Sequence, residues 1–131
     1  MMSVIKILMA DDEPAVLEIM ARKVVSTGFT VITATDGKAA WEKIQKENPD
    51  IVILDLVMPQ MDGFAVLSQL RNNPPSKKWI PVVIISSMDE IQNMQKGFNL
   101  QADHYLVKPC SIEDVLKAIK LMLALIPLRN T

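Results

Sequence analysis

The sequence has few of the residues that build disulfide frameworks and soft metal sites. Its 131 residues include one cysteine, Cys110, and one histidine, His104. A single cysteine cannot form an internal disulfide, which suits a reducing compartment. With no cluster of His and Cys residues, the sequence offers no typical zinc or copper site. We interpret Cys110 as a structural thiol and His104 as a packing residue.

An excess of basic charge and long apolar runs are lacking too. The 14 Lys and Arg residues nearly balance the 15 Asp and Glu residues, so the composition provides no basic surface for nucleic acid. The apolar stretch over residues 1–10 is too short for a membrane span or an ordinary signal peptide. We therefore predict a cytoplasmic protein that binds neither membranes nor, through this segment, nucleic acid.

Short apolar runs rich in β-branched residues alternate with longer segments of helical period. The runs are five predicted strands: Val4–Ala10, Thr30–Ala34, Ile51–Leu54, Val82–Ile85 and Tyr105–Val107. This alternation is typical of a parallel sheet covered by helices on both faces. We predict one α/β domain over residues 1–131, with a core at about 4–126 and a short C-terminal tail at 127–131.

Five helices are predicted in the longer segments. They begin at or after Pro14, Asp36, Asp62, Ser87 and Ser111. Proline is tolerated in a first helical turn, aspartate is a favourable N-cap, and Asp114 completes a capping box with Ser111. The fourth predicted helix places Ile91, Met94 and Phe98 on one face.

Polar residues interrupt the apolar pattern where the predicted strands end. They are Asp11-Asp12-Glu13 after the first strand, Asp55 after the third, Ser86-Ser87 after the fourth and Lys108-Pro109 after the fifth. In an open parallel sheet, ligands bind outside the carboxyl ends of the strands. We therefore expect all of these groups to lie along one rim of the sheet.

The residue types on this rim suggest phosphoryl transfer. Carboxylates crowded together repel one another unless a cation lies among them, and a few hard oxygen ligands suit Mg²⁺. Lys108 supplies a second positive charge and Ser86 a hydroxyl donor. A carboxylate nucleophile, a cation and fixed donors are what transfer to an aspartate requires. We predict Asp55 as the nucleophile.

Four segments of the chain resemble the response-regulator receiver domains of two-component signalling, which are CheY-like. The segments are residues 7–14 (ILMADDEP), 49–63 (PDIVILDLVMPQMDG), 80–87 (IPVVIISS) and 102–109 (ADHYLVKP). Together they extend over essentially the whole chain in the right order. The resemblance implies a flavodoxin-like, doubly wound sheet of five parallel strands in the order 2-1-3-4-5, with five helices on both faces.

The resemblance also implies a metal site and a phosphoacceptor. Asp11 and Asp12 correspond to the acidic pair that holds Mg²⁺, with Asp12 as a direct ligand and Asp11 acting largely through water. Asp55 corresponds to the phosphoacceptor and a metal ligand, and the backbone carbonyl of Val57 to a further ligand.

The same resemblance implies a switch. Ser86 corresponds to a hydroxyl that bonds a phosphoryl oxygen, and Tyr105 to an aromatic residue that moves with it. Lys108 corresponds to the lysine that contacts the phosphoryl group, aimed by a Lys108–Pro109 peptide bond that is often cis in the family.

The implied function is signalling. A histidine kinase or phosphotransfer protein would phosphorylate Asp55 in a Mg²⁺-dependent reaction. The surface formed by the fourth helix, the fifth strand and the fifth helix would then change its affinity for an unknown downstream protein or output domain. Such a domain catalyses only its own phosphorylation and dephosphorylation, and exists as a monomer or a phosphorylation-linked dimer.

The sequence departs from the family pattern in two places. Gln101 stands where a glycine is usual, so we expect a shifted loop before the fifth strand instead of a tight left-handed turn. Val57 and Met88 are apolar at two positions that tend to govern self-dephosphorylation. We therefore expect a long-lived phosphoryl group.

Three other functions fit the sequence less well. An aspartyl-nucleophile phosphatase needs a second aspartate where Val57 stands. A flavin-binding relative needs a hydroxyl- and glycine-rich phosphate loop after the first strand, where the sequence is acidic. A receiver-like scaffold that acts without phosphorylation is disfavoured by the full set of reactive residues, which are Asp11, Asp12, Asp55, Ser86 and Lys108.

Overall fold

A computed structural model describes residues 4–87, 95–96 and 98–129. Five strands and four helices follow one another along these residues: β1 (Lys6–Ala10), α1 (Pro14–Ser26), β2 (Thr30–Ala34), α2 (Gly37–Glu47), β3 (Ile51–Asp55), α3 (Gly63–Asn72), β4 (Val82–Ser86), β5 (His104–Val107) and α4 (Ile112–Arg129). None of these helices is long and apolar enough to cross a membrane. The chain therefore forms the predicted α/β fold.

The five strands form one parallel sheet in the order β2-β1-β3-β4-β5. The predicted strand order is thus confirmed. All five residues of β3 and of β4 are buried, which explains why these two segments read as nearly continuous apolar runs. Each strand bound lies within two residues of its prediction, and Asp55 and Ser86 are the last residues of their strands.

Alternate residues of each strand face opposite sides of the sheet and build two separate cores. On one side Ile53 and the other odd-numbered apolar residues of β1, β3 and β4 pack against α1 and α4. On the other side Leu54 and its neighbours pack against α2 and α3. Because Asp55 has the parity of Ile53, its side chain belongs to the side covered by α1 and α4.

Side-chain caps fix where three of the helices begin. Asp36 and Asp62 accept hydrogen bonds from the backbone N–H groups of Ala39 and Ala65, at 2.7 and 2.8 Å, so both predicted N-caps are confirmed. At the start of α4, Ser111 and Asp114 each accept a hydrogen bond from the other's backbone N–H. These three starts position the loops that precede α2, α3 and α4.

The number of helices differs from the prediction, because the described residues contain four helices instead of five. Ile91 and Met94, which define the apolar face of the predicted fourth helix, lie outside the described residues. The described residues of that stretch, 95–96 and 98–99, are helical. α4 corresponds to the fifth predicted helix.

The turn before β5 corrects a second expectation. Gln101 adopts the left-handed conformation itself, with a φ of 69°, so the turn forms where we expected a shifted loop. Two hydrogen bonds hold it: the N–H of Gln101 donates to the carbonyl of Phe98 at 2.9 Å, and its carbonyl accepts from Arg71 Nε at 3.0 Å. These contacts offset the steric cost of a side chain in this conformation.

The C-terminal helix is longer than its apolar stripe suggested. We expected a tail from residue 127, yet α4 continues through Pro127 to Arg129. The guanidinium of Arg129 lies over the ring of Trp79, 4.4 Å from its centroid. This cation–π contact attaches the last turn of α4 to the segment before β4.

Candidate functional site

Three carboxylates meet at the carboxyl ends of the two central strands. Asp11 and Asp12 follow β1, and Asp55 ends the adjacent strand β3. Carboxylate oxygens of all three residues lie within 4.8 Å of one another. Asp55 is buried at 7% exposure, whereas Asp12 is exposed. The parallel register therefore brings together residues that are more than forty positions apart in the chain.

Lys108 lies against two of these carboxylates. Its Nζ donates to Asp11 Oδ2 at 3.4 Å and to Asp55 Oδ2 at 3.3 Å. Its backbone N–H donates to the carbonyl of Ser86 at 2.7 Å, which ties this residue to the end of β4. The Lys108–Pro109 peptide bond is cis, as the resemblance led us to expect.

The pKa values of the buried groups follow from their neighbours. Burial raises the pKa of Asp55, and the negative charge of Asp11 raises it further. The ammonium of Lys108 and a hydrogen bond from the backbone N–H of Val57 oppose that rise. Burial alone would lower the pKa of Lys108, but Asp55 and Asp11 raise it above its ordinary value. Lys108 is therefore a firm positive charge in the site.

The donor set fits a hard divalent cation. Octahedral Mg²⁺ holds its oxygen ligands at about 2.1 Å, so those oxygens lie roughly 3–4 Å apart. One oxygen each of Asp11, Asp12 and Asp55 lies within 4.8 Å of the others, so one ion could contact all three after a small adjustment. When ionised, three carboxylates against one ammonium leave two negative charges, which a divalent cation would neutralise.

The two predicted switch residues lie on adjacent strands. Ser86 ends β4 with 1% of its surface exposed, and Tyr105 in β5 is 7% exposed. Tyr105 pairs in register with Ile84, which has the same parity as Ser86. Both side chains therefore face the side of the sheet that is covered by α2 and α3.

The segment from Leu56 to Asp62, hereafter the β3–α3 loop, borders the carboxylates. Leu56 and Met58 are buried, whereas 57% of the surface of Val57 is exposed. Gly63 closes the loop, because its N–H donates to the carbonyl of Leu56 at 2.8 Å. A Cβ at Gly63 would lie 2.6 Å from the carbonyl oxygen of Asp55, so only glycine fits there. Sequence reasoning missed this role, although an Asp-Gly pair at a helix start was visible.

An open cavity of about 390 Å³ lies beside the site. Its lining includes Val16 and Met20 of α1 together with Lys108, Pro109 and Cys110. Cys110, which we interpreted as a structural thiol, is half-buried in this lining, and burial raises the pKa of the thiol. The cavity shares Lys108 with the carboxylate site and is bordered by α1.

A family model described as "Response regulator receiver domain" matches residues 7–120. Among curated proteins, the chain is 36% identical over 118 residues to the alkaline phosphatase synthesis transcriptional regulatory protein PhoP of Bacillus subtilis, covering 90% of this chain and 48% of that protein. It is 32% identical to the probable transcriptional regulatory protein TcrX of Mycobacterium tuberculosis, covering 91% of this chain and 50% of that protein. The chain thus spans about half the length of these relatives.

Solved structures of response regulators and of a chemotaxis protein have the same fold as this chain. The chemotaxis protein CheY4 of Vibrio cholerae superposes with a TM-score of 0.85 at 29% identity, covering 92% of this chain and 99% of that one. The receiver domain of the Francisella response regulator 1452 gives a TM-score of 0.83 at 31% identity, covering 91% and 96%.

Proposed function

Because the chain belongs to the response regulator receiver domain family of two-component signalling, we propose that Asp55 is the residue that accepts the phosphoryl group. The observation that carries this proposal is the position of its carboxylate at the buried end of the central strand. There it contacts Lys108 and lies within reach of Asp11 and Asp12. Asp12 is exposed, and Asp11 Oδ1 already accepts a hydrogen bond from the N–H of Glu13.

In this mechanism the carboxylate of Asp55 attacks the phosphorus atom of a phosphohistidine, and the bond from phosphorus to the histidine nitrogen breaks. Asp11, Asp12, Asp55 and the backbone carbonyl of Val57 would hold Mg²⁺, which supplies neutralisation of the phosphoryl oxygens when bound. Lys108 exchanges its ion pair with Asp55 for one with a phosphoryl oxygen. No general base is needed, because the nucleophile is already an anion.

The phosphodonor in this proposal is a histidine kinase or a phosphotransfer protein. It would reach Asp55 from the side of the cavity that Val16, Met20 and Cys110 line. The output would be a change in the surface formed by β5, α4 and the stretch of the fourth predicted helix. Movement of Ser86 and Tyr105 would change the relative populations of two conformations of this surface. A downstream protein or output domain would bind one of these conformations. The proposed setting is the cytoplasm.

The test is phosphorylation by acetyl phosphate, with and without Mg²⁺, followed by intact mass measurement. We expect the wild-type chain to gain one phosphoryl group only when Mg²⁺ is present, and Asp55→Asn to gain none. Asp62→Asn is the matched control, because asparagine is an equally good N-cap and Asp62 lies at the other end of the β3–α3 loop. If the wild type gained nothing, the scaffold function would be favoured instead.

The phosphoryl group should also be long-lived. Val57 is exposed beside Asp55 and offers no polar atom of its side chain to orient an attacking water. We expect Val57→Asn to shorten the lifetime of the phosphorylated protein by about tenfold or more, as a positioned polar group can. Loss of phosphate is followed by mass after the donor is removed. Val25→Asn, an equally exposed valine on α1, is the control; rapid loss from the wild type would contradict the expectation.

A further inference from the structure

The β3–α3 loop is held from its outer side by the first residue of α2. The N–H of Gly37 donates to the carbonyl of Pro59 at 3.2 Å. A Cβ built on Gly37 would overlap the backbone carbonyl of Met61. The loop backbone therefore rests directly on the α-carbon of Gly37.

Gly37 is required for space and not for backbone conformation. Within the described residues, the glycine with a positive φ is Gly28, at 106°. Gly37 is buried inside the first turn of α2, where alanine would be the better helix former. The Asp36 cap fixes that turn by accepting from the N–H of Ala39 at 2.7 Å. The start of α2 is thus a fixed support, and a side chain at position 37 would have to displace the loop.

Displacing the loop would disturb the carboxylate site, because Val57 belongs to the loop. The backbone N–H of Val57 lowers the pKa of the Asp55 carboxyl, so this part of the loop acts directly on the site. The far end of the loop is fixed as well, since Gly63 packs against the carbonyl of Asp55. A shift imposed at residues 59–61 would therefore be passed to the segment from 56 to 58.

We propose that Gly37 is a positioning residue for the Mg²⁺ site: it sets the position of the β3–α3 loop and, through it, of the Val57 backbone. The inference rests on the proposed function, since it assumes that the Val57 carbonyl is a metal ligand. Groups that orient metal ligands typically change metal affinity 10–100-fold when they are altered. Gly37→Ala should raise the Mg²⁺ dissociation constant by that factor, although residue 37 contributes no ligand.

The loss of affinity in Gly37→Ala should depend on how strictly the cation requires a regular arrangement of ligands. Mg²⁺ demands nearly ideal octahedral ligands at 2.0–2.1 Å, whereas Ca²⁺ accepts longer and irregular coordination. A displaced carbonyl should therefore weaken Mg²⁺ binding more than Ca²⁺ binding, so the ratio of the two affinities should shift toward Ca²⁺. A general loosening of the fold would weaken both by similar factors.

The experiment is calorimetric titration of the wild type, Gly37→Ala and Gly28→Ala with each cation, beside urea unfolding of each variant. Gly28→Ala is the matched control, because it strains a left-handed residue but meets no atom within 4 Å. We expect it to bind Mg²⁺ like the wild type despite a loss of stability. If Gly37→Ala does not fold in plain buffer, all three proteins are titrated in trimethylamine oxide, which favours the compact state.

Wild-type Mg²⁺ affinity in Gly37→Ala, or an equal weakening for both cations, would overturn the positioning role. Equal weakening in Gly28→Ala would overturn it too, since the effect would then follow stability. A wild type that binds no Mg²⁺ would instead defeat the proposed function, so the two failures are distinguishable.

Discussion

Replacing Arg71 by methionine should lower the free energy of unfolding by about 3 kcal/mol, the lower end of the usual cost of removing one partner from a buried ion pair, because both side chains keep some exposure. The side chains of Arg71 and Asp103 are 13% and 14% exposed, and Arg71 Nη2 lies 2.7 Å from Asp103 Oδ2. Arg71 also donates to the carbonyls of Ile80 and Gln101, at 2.8 and 3.0 Å. Methionine retains much of the apolar stem but leaves Asp103 as an uncompensated buried charge.

The loss should depend on pH. Burial raises the pKa of Asp103, and the N–H of Val82 and the guanidinium of Arg71 oppose that rise. Without Arg71 the pKa of Asp103 in the folded protein rises further above its value in the unfolded chain. Between these two pKa values the folded variant therefore binds more protons than the unfolded one. Stability then falls as pH rises through the folded-state pKa. The loss in free energy of unfolding caused by Arg71→Met should be largest at neutral pH and smaller at acidic pH.

Urea unfolding at several pH values checks this prediction. Arg22→Met is the matched control, because the Arg22–Glu18 pair has side chains 77% and 62% exposed, and such pairs contribute at most about 0.5 kcal/mol. The double variant Arg71→Met/Asp103→Asn should recover part of the loss at neutral pH. A deficit as small as that of Arg22→Met would show that the pair is not a structural anchor.

Most of the fold could be predicted because its signal is local. Buried parallel strands have nearly continuous apolar sequences. Asp36 and Asp62 correctly indicated where two helices begin. The Arg71–Asp103 pair could not be found in this way, because 32 residues separate its partners and no period links them. The left-handed Gln101 contacts the same arginine, because Arg71 Nε donates to its carbonyl. An expectation based on the residue type at 101 alone was therefore wrong.

Some features of the candidate site could likewise be predicted from the sequence and others could not. The gathering of Asp11, Asp55 and Lys108 could be foreseen, since the carboxyl ends of parallel strands share one rim. The contact between Gly37 and the backbone near Met61 could not, because it depends on how closely α2 approaches a loop from another part of the chain. The metal and phosphoryl roles of these residues stay predictions until binding is measured.

Lys108→Met should slow phosphorylation strongly, although it leaves every proposed metal ligand in place. Its Nζ lies 3.3 Å from Asp55 Oδ2 and 3.4 Å from Asp11 Oδ2. In the proposed reaction this ammonium neutralises charge on the phosphoryl oxygens, and removal of one such preorganised donor costs about 10²–10³-fold in rate. We expect that loss in the initial rate of phosphorylation by acetyl phosphate at saturating Mg²⁺.

Mg²⁺ binding should not weaken in Lys108→Met. In the resting protein Lys108 occupies oxygens of the same carboxylates that would hold the cation, so the two positive charges compete. Without the ammonium, the repulsion among the carboxylates can be relieved only by protonation or by a cation. The dissociation constant for Mg²⁺ should therefore stay the same or fall. Titration calorimetry on the variant measures it directly.

Slower phosphorylation without weaker Mg²⁺ binding separates a role of Lys108 in transfer from a structural role. If Lys108 merely held the rim together, its loss would weaken Mg²⁺ binding and phosphorylation alike. Lys108→Arg keeps the charge but replaces the compact ammonium with a larger planar group, so it should bind Mg²⁺ like the wild type and recover only part of the rate. Lys117→Met, on α4, should leave both quantities unchanged. Undiminished phosphorylation of Lys108→Met would mean that the cation alone neutralises the transferred group.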